Sequence, residues 1–289
     1  MHGVARTVTF GEAALLYLEK GGSERYLDAL IVRFGDRKLA SMTALDIAAA
    51  ARDLYPDAKP ATVVRQLYTP MNAVLRRAAK DQLCPLMAFD KPTIAHDPVT
   101  HASESEVAAV LAKANPQLAA ILTFMTYTGR RVGEAVALIW RDVDLARGHV
   151  TIVKTKSGKP HRVALHPNAH AAIAGRRPNI IDEAERVFGY ASRYSVRTGL
   201  ARVCRRLGIR ILGPHQFGRH TFAARLLADG HSIKVLKDAG GWASIDIVDR
   251  HYGHLEHSHA DAAVRSAGTK PTQPASIRPT KVLTFKRKA

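Results

Sequence analysis

Apolar positions recur at helical spacing through residues 9–90. TFGEAALLYLEK sets Ala13, Leu16 and Leu18 on a partly apolar face behind Thr9, which is placed to cap the helix. RYLDALIVRFG follows and is expected to stop with Gly35 as its C′ residue. Another helix opens at Thr43. A long one runs from Lys59 through VVRQLYTPMNAVLRRAAKDQ, and Pro70 within it should kink or locally break the turn before it. Residues 91–100, KPTIAHDPVT, put two prolines between helical patterns and read as a linker.

Beyond the linker the pattern changes. Thr100 to Lys113 is amphipathic, with Ser103 and Glu106 spaced as a capping box. QLAAILTFMTY, residues 117–127, is nearly all apolar and predicts a buried helix. Thr128-Gly129 interrupts it, and a helical pattern resumes from Arg131 to Ile139, ending in Trp140. HVTIV (149–153) and HRVAL (161–165) alternate as two strands joined by the polar turn KTKSGKP. Ser192 to Leu207 predicts a long helix with Leu200, Val203, Cys204 and Leu207 on one face, and three shorter helical patterns follow. The expected fold is mainly α with a small β-sheet (α+β). Its expected divisions are a helical domain over 1–92, a second domain over 99–268, and a tail over 269–289 that is basic, Pro-punctuated and flexible when alone.

Composition adds a partner class. The hydrophobic fraction of 46% and mean hydropathy of −0.12 are those of a globular chain of 289 residues. The formal charge is +18, with a pI near 10.2. Lys and Arg outnumber Asp and Glu by 13 to 11 in residues 1–98, by 24 to 14 in 99–268, and by 6 to none in the tail. A positive excess gathered in the later two-thirds favours a polyanion, because each neutralised phosphate releases condensed counterions. Two cysteines, Cys84 and Cys204, are too few for a disulfide framework, and residues 1–20 carry no long apolar run behind a basic start. A cytoplasmic protein, with no membrane partner, is expected.

Candidate chemistry then narrows the picture. There is no phosphate-cradling P-loop: Gly158-Lys159 is followed by Pro160, and Val153 stands where the first glycine belongs. HYGHLEHSH at 251–259 lacks the spacing of a dedicated metal site. Arg131, just inside a helix N-terminus, offers a bidentate fork to phosphate oxygens, with Glu134 on the same face to hold it; on that segment alone an ordinary helix-start ion pair is the better reading. Lys156 lies in the turn between the strands, where an ammonium can act as point charge or general acid, and Lys154 and Lys159 compete for that place. His215 and Arg219 are four apart. Tyr252 offers a phenol, which becomes a useful nucleophile only against a charge-neutralised phosphate with a proton acceptor nearby. A lone Tyr among apolar residues is usually core, and Trp242 by itself reads as core too.

Taken in order, TGRRVGEAVAL, the hairpin-turn lysine, HQFGRH, GGW and the final Tyr-Gly-His resemble the tyrosine recombinases, or phage-type integrases. The resemblance spans residues 9–268 and implies a helical core-binding domain followed by a catalytic domain. It implies that Arg131 and Arg219 clamp the scissile phosphate, that Lys156 protonates the leaving 5′-oxygen, and that His215 transfers protons. Trp242 matches the position that is His or Trp in the family, Tyr252 the nucleophile, Glu134 the acidic residue after the first arginine, and His220 a structural neighbour of Arg219. One departure stands out: Gly218 turns the family's His-x-x-Arg into His-x-x-Gly-Arg.

The implied function is site-specific DNA cleavage and rejoining through a 3′-phosphotyrosyl intermediate, for integration or excision of a mobile element. The implied partners are double-stranded DNA carrying recombination sites, a homotetramer on two such sites, and accessory DNA-bending proteins. No cofactor or metal is implied, and the setting is the nucleoid. Two rivals share the scaffold: type IB topoisomerase-like nicking and rejoining, and a non-catalytic DNA-binding regulator.

Overall fold

The computed structural model describes residues 8–94, 99–153, 160–180 and 182–266. The chain divides into two units, Met1–Asp97 and Pro98–Ala289. The tail 269–289, the centre of the linker and the turn carrying Lys154, Lys156 and Lys159 lie outside the described residues.

The first unit is helical. Helix α1 (Phe10–Glu19) starts at Thr9, whose hydroxyl accepts the Glu12 N–H while the Glu12 carboxylate accepts the Thr9 N–H. After α2 (Asp28–Phe34), Thr43 and Asp46 build the same reciprocal cap at α3 (Ala44–Leu54). Gly35 does not take the left-handed C′ conformation expected of it; its φ is −49°. A Cβ there would fall 2.6 Å from the Ile31 carbonyl oxygen, and the Gly35 carbonyl accepts the Gly11 N–H at 2.9 Å. The long helix is α4 (Pro60–Val63), a π turn (Val64–Tyr68) and α5 (Thr69–Lys80). The π turn falls just before Pro70, which has no N–H to continue an α pattern. Phe10, Leu30, Phe34, Ile47, Leu67, Met71 and Val74 form the core of this unit.

In the second unit, α6 (Glu104–Lys113) carries the Ser103–Glu106 capping box. Helix α7 (Pro116–Thr128) is capped by Asn115 and is buried along most of its length, as its apolar run requires. Helix α8 is shorter than its pattern, Val132–Ala137 only. Leu138 turns extended because the chain there pairs with residues 183–187: the Leu138 carbonyl accepts the Val187 N–H, and Trp140 donates to Glu185. Strands β1 (Val143–Asp144), β2 (His149–Ile152) and β3 (His161–Ala164) form an antiparallel meander in that order, with Val150 opposite both Val143 and Val163. Strand β1 and helix α9 (Pro167–Ala174) are additions to the sequence reading. Helix α10 (Arg193–Leu207) buries Val196, Leu200, Val203 and Cys204 against α7 and its neighbours.

A π turn (Gln216–His220) leads into α11 (Thr221–Ala228), α12 (Ile233–Gly240) and α13 (Ile245–Ser266). These helices enclose a smaller apolar cluster that includes Leu227, Leu236, Trp242, Val248 and Tyr252. The mainly helical, small-sheet architecture expected from the pattern is the one observed. Among the described residues no helix is long and apolar enough to cross a membrane.

Candidate functional site

A groove of 870 Å³ in the second unit is lined by residues from the α7–α8 turn, the start of β3, the π turn, the end of α12 and α13. Arg131, Glu134, His215, Arg219, His220, Trp242 and Tyr252 all reach it. Every candidate side chain named from the sequence is therefore brought to one place, except Lys156, which lies outside the described residues. Pro160 and His161, the first described residues after that turn, line the groove.

Two buried arginines organise the groove by gripping backbone. The Arg219 Nη1 donates to the Gly129 carbonyl at 2.7 Å and to the Gly240 carbonyl at 2.8 Å. Arg130 does the same one residue earlier on each segment, from Nε to the Thr128 carbonyl at 3.0 Å and from Nη2 to the Ala239 carbonyl at 2.7 Å. The α7–α8 turn and the end of α12 are thus stapled together by two guanidiniums.

The Gly-Gly-Trp motif follows from the same packing. Gly241 takes the left-handed conformation (φ 66°) that ends α12, and the Trp242 N–H returns to the Lys237 carbonyl at 3.0 Å. Gly240 has no side chain because a Cβ there would fall 1.6 Å from the Trp242 ring. The indole so placed lies under the Arg219 guanidinium, 3.6 Å from ring centroid to Cζ, and edge-on to the Tyr252 ring.

The extra glycine in HQFGRH has a local explanation. Residues 216–220 form a π turn, the device by which a helix takes up one additional residue without losing register on either side. Gly218 packs against α7, where a Cβ would meet the Met125 Cβ at 2.8 Å and its Cε at 2.9 Å. The wider turn lets His215 and Arg219 both face the groove despite the inserted residue.

Arg131 is the N-cap of α8, not a residue inside it. Its N–H and its Nη1 donate to the two oxygens of the nearly buried Glu134, at 3.0 and 2.8 Å. The helix-start ion pair and the groove-facing arginine are therefore one arrangement. Tyr252 is 1% exposed, and its hydroxyl meets the His220 Nδ1 at 2.5 Å. The sequence reading gave His220 only a structural place beside Arg219; the ring in contact with the phenol is His220, and His215 packs edge-on behind it at 4.6 Å between centroids. Tyr252 and Trp242 are core residues of their cluster, as the bland reading of these aromatics expected, and both also line the groove.

The electrostatics favour an anion. Burial first, then the neighbouring Arg131 and Arg130 charges, lower the Arg219 pKa to about 9. Arg130 is lowered to about 10, chiefly by burial. Among the described residues no carboxylate is hydrogen-bonded to either; Glu134 is engaged by Arg131 and Asp238 by Lys237. The Arg219 Nη2 is buried with no hydrogen-bond partner. Uncompensated buried cations are costly unless the site receives negative charge. The three imidazoles respond in the same sense. Burial and the other histidines push His220 down to about 3. His161 is lowered by burial and by Arg130. Loss of solvent first, then the Arg219 and Arg131 charges, lower His215 to about 4. The Tyr252 phenol is pushed up to about 12 by burial, against the pull of Arg219.

Sequence reasoning missed Arg130 and His161. Arg130 had one signal, a second arginine in TGRR directly after an apolar helix. His161 had none beyond its place at the head of a strand. The His-rich segment gathers no metal-binding group among the described residues.

Comparisons with known proteins give the family and the fold. Residues 101–259 match the model of the phage integrase family. The integrase of Salmonella phage P22 is 28% identical over 158 residues, covering 49% of this chain and 40% of that protein. Tyrosine recombinase XerC of Roseiflexus castenholzii is 31% identical over 169 residues, covering 51% and 52%. The chain thus matches about half the length of these curated relatives or less. In fold it resembles the Tn1549 transposon integrase, solved in complex with transposon right end DNA, at a TM-score of 0.70 and 18% identity over 90% of this chain and all of that one. A lambda integrase dimer bound to a core site gives 0.65 and 16%, covering 83% and 97%. With the family match running across more than half of its length, this chain belongs to the phage integrase family of tyrosine recombinases.

Proposed function

We propose that the protein is a site-specific DNA recombinase that cleaves and rejoins DNA through a 3′-phosphotyrosyl intermediate. The observation that carries this is the convergence of Tyr252 with Arg131, Arg219, His215, His220 and Trp242 on one cationic groove. The Tyr252 oxygen attacks the scissile phosphorus, its proton leaving to the imidazole side of the groove. Arg131 and Arg219 hold the non-bridging oxygens as charge builds on them, and the 5′-oxygen departs with a proton from Lys156. The covalent link conserves the phosphodiester bond energy, so rejoining needs only a 5′-hydroxyl from the partner strand. Removing one such charge contact typically costs on the order of 10²–10³ in rate.

The remaining assignments follow from that reading. Residues 1–92 serve as the core-binding domain and 99–268 as the catalytic domain, with the basic tail 269–289 adding cationic contacts. Four protomers act on two DNA sites at the nucleoid, in the service of a mobile element, with accessory DNA-bending proteins where the sites require them. Relatives named as integrases, and the Tn1549 integrase solved with DNA, support DNA as the substrate.

The test is a nicked suicide duplex built from the DNA flanking the protein's own gene. Wild type should form a covalent protein–DNA adduct and Tyr252→Phe none. An equal adduct from both proteins, or none from wild type, overturns the proposal.

A further inference from the structure

Arg130 is the feature that the proposed reaction leaves unused. It is 3% exposed, and all of its hydrogen bonds go to main-chain carbonyls. A buried guanidinium without a bonded carboxylate is a burden on the fold, and an apolar side chain of similar volume commonly serves stability as well or better. Packing alone therefore does not account for an arginine here.

Its bonds indicate what it does. Arg219 joins the Gly129 and Gly240 carbonyls through a single nitrogen, Nη1. One shared atom fixes a point of contact between two backbone segments and leaves them free to pivot about it. Arg130 joins the preceding carbonyls, Thr128 and Ala239, through two nitrogens of one rigid plane. The second point removes the pivot. What would swing with it is the exit of α12: Gly241, then Trp242, whose ring lies against both the Arg219 guanidinium and Tyr252. On the other segment the next residue is Arg131. Arg130 thus sets the separation and tilt between the turn bearing Arg131 and the segment that seats Arg219 and Trp242.

We infer that Arg130 is a positioning residue for phosphate activation, holding Arg131, Arg219 and Trp242 in mutual register by bridging Thr128 to Ala239. This rests on the recombinase reading above. It assigns Arg130 no contact with the DNA: the scissile phosphate is held by Arg131 and Arg219, and their alignment is what Arg130 supplies. A misplacement of about 1 Å in such a site costs on the order of 10²-fold in rate.

The experiment measures duplex affinity and single-turnover adduct formation for wild type, Arg130→Met, Arg130→Lys and Arg219→Ala. Arg130→Met should bind within about twofold of wild type, since its bonds are internal, and form adduct on the order of 10²-fold more slowly. Arg130→Lys should fall between, because one ammonium cannot span both carbonyls in a fixed plane; it also serves where the Met variant does not fold. The discriminating substrate carries a methylphosphonate at the scissile position, which removes a non-bridging oxygen charge and with it much of the need for aligned guanidiniums. On it the deficits of the Arg130 variants should shrink severalfold. Wild-type rates from both Arg130 variants, or deficits that persist undiminished on the methylphosphonate, overturn the inference. If Arg219→Ala also cleaves at the wild-type rate, it is the recombinase reading itself that fails.

Discussion

The Tyr252 hydroxyl and the His220 Nδ1 lie 2.5 Å apart, a contact between two groups whose pKa values burial shifts in opposite directions. The phenol is raised to about 12 and the imidazole lowered to about 3, so near neutrality the phenol holds its proton and the imidazole is uncharged. With its proton on Nε2, the ring accepts from the phenol O–H. Loss of His220 should therefore slow the step in which Tyr252 is deprotonated. His220→Ala is expected to reduce single-turnover adduct formation on the order of 10²-fold at pH 7. The deficit should narrow as pH rises and the phenol ionises unaided; a gap of constant size across the alkaline range would remove His220 from the proton path.

The same imidazole makes stability depend on pH. Its pKa is depressed in the folded state relative to an ordinary histidine near 6.5, so the unfolded chain binds more protons below that value. The stability it contributes is intact above about pH 6.5 and is lost progressively as pH falls toward about 3. Thermal melts should show Tm dropping over this range, with a shallower drop for His220→Gln.

Gly218 separates two ways of changing the π turn. Gly218→Ala places a methyl 2.8 Å from the Met125 Cβ and should destabilise the protein by about 1–3 kcal/mol in denaturant unfolding. Deleting Gly218 removes the additional residue together with the bulge. That variant should retain adduct formation within about tenfold of wild type, since α-helical register is kept on both sides of a π turn. A deletion more damaging than the alanine would show that the turn itself is needed.

Trp242 supports Arg219 from below and fills the space above Gly240. Trp242→Ala should cost about 3–5 kcal/mol of stability through the cavity it leaves. Trp242→Phe preserves a ring beneath the guanidinium and should recover most of the adduct yield. Calorimetry and the suicide substrate together check the pair.

Much of this architecture was legible in the chain because it rests on local rules. Thr9 and the Ser103–Glu106 pair signal their helix starts through hydrogen bonds spanning three residues. The apolar run of α7 announces its burial, and the alternation of β2 and β3 their sheet. Strand β1 was invisible because two residues carry no alternation. The role of Arg130 was invisible for a different reason: its acceptor at Ala239 lies 109 residues away and is a carbonyl that every residue type possesses. Likewise nothing in HQFGRH states that His220, not His215, meets the Tyr252 hydroxyl; that contact comes from the packing of α11, which His220 leads into, against α13.

The acceptors of the two arginine staples are all main-chain oxygens, at Thr128, Gly129, Ala239 and Gly240. Substitution rewrites side chains and leaves those oxygens in place. The staples are therefore vulnerable from one end only: a point mutation can remove a donor by changing Arg130 or Arg219, but no point mutation can delete an acceptor. The bonds themselves thus ask nothing of side-chain identity on the receiving segments; Gly129 and Gly240 are held to glycine by the Phe222 and Trp242 rings instead, while the register of the two segments stays encoded in two codons.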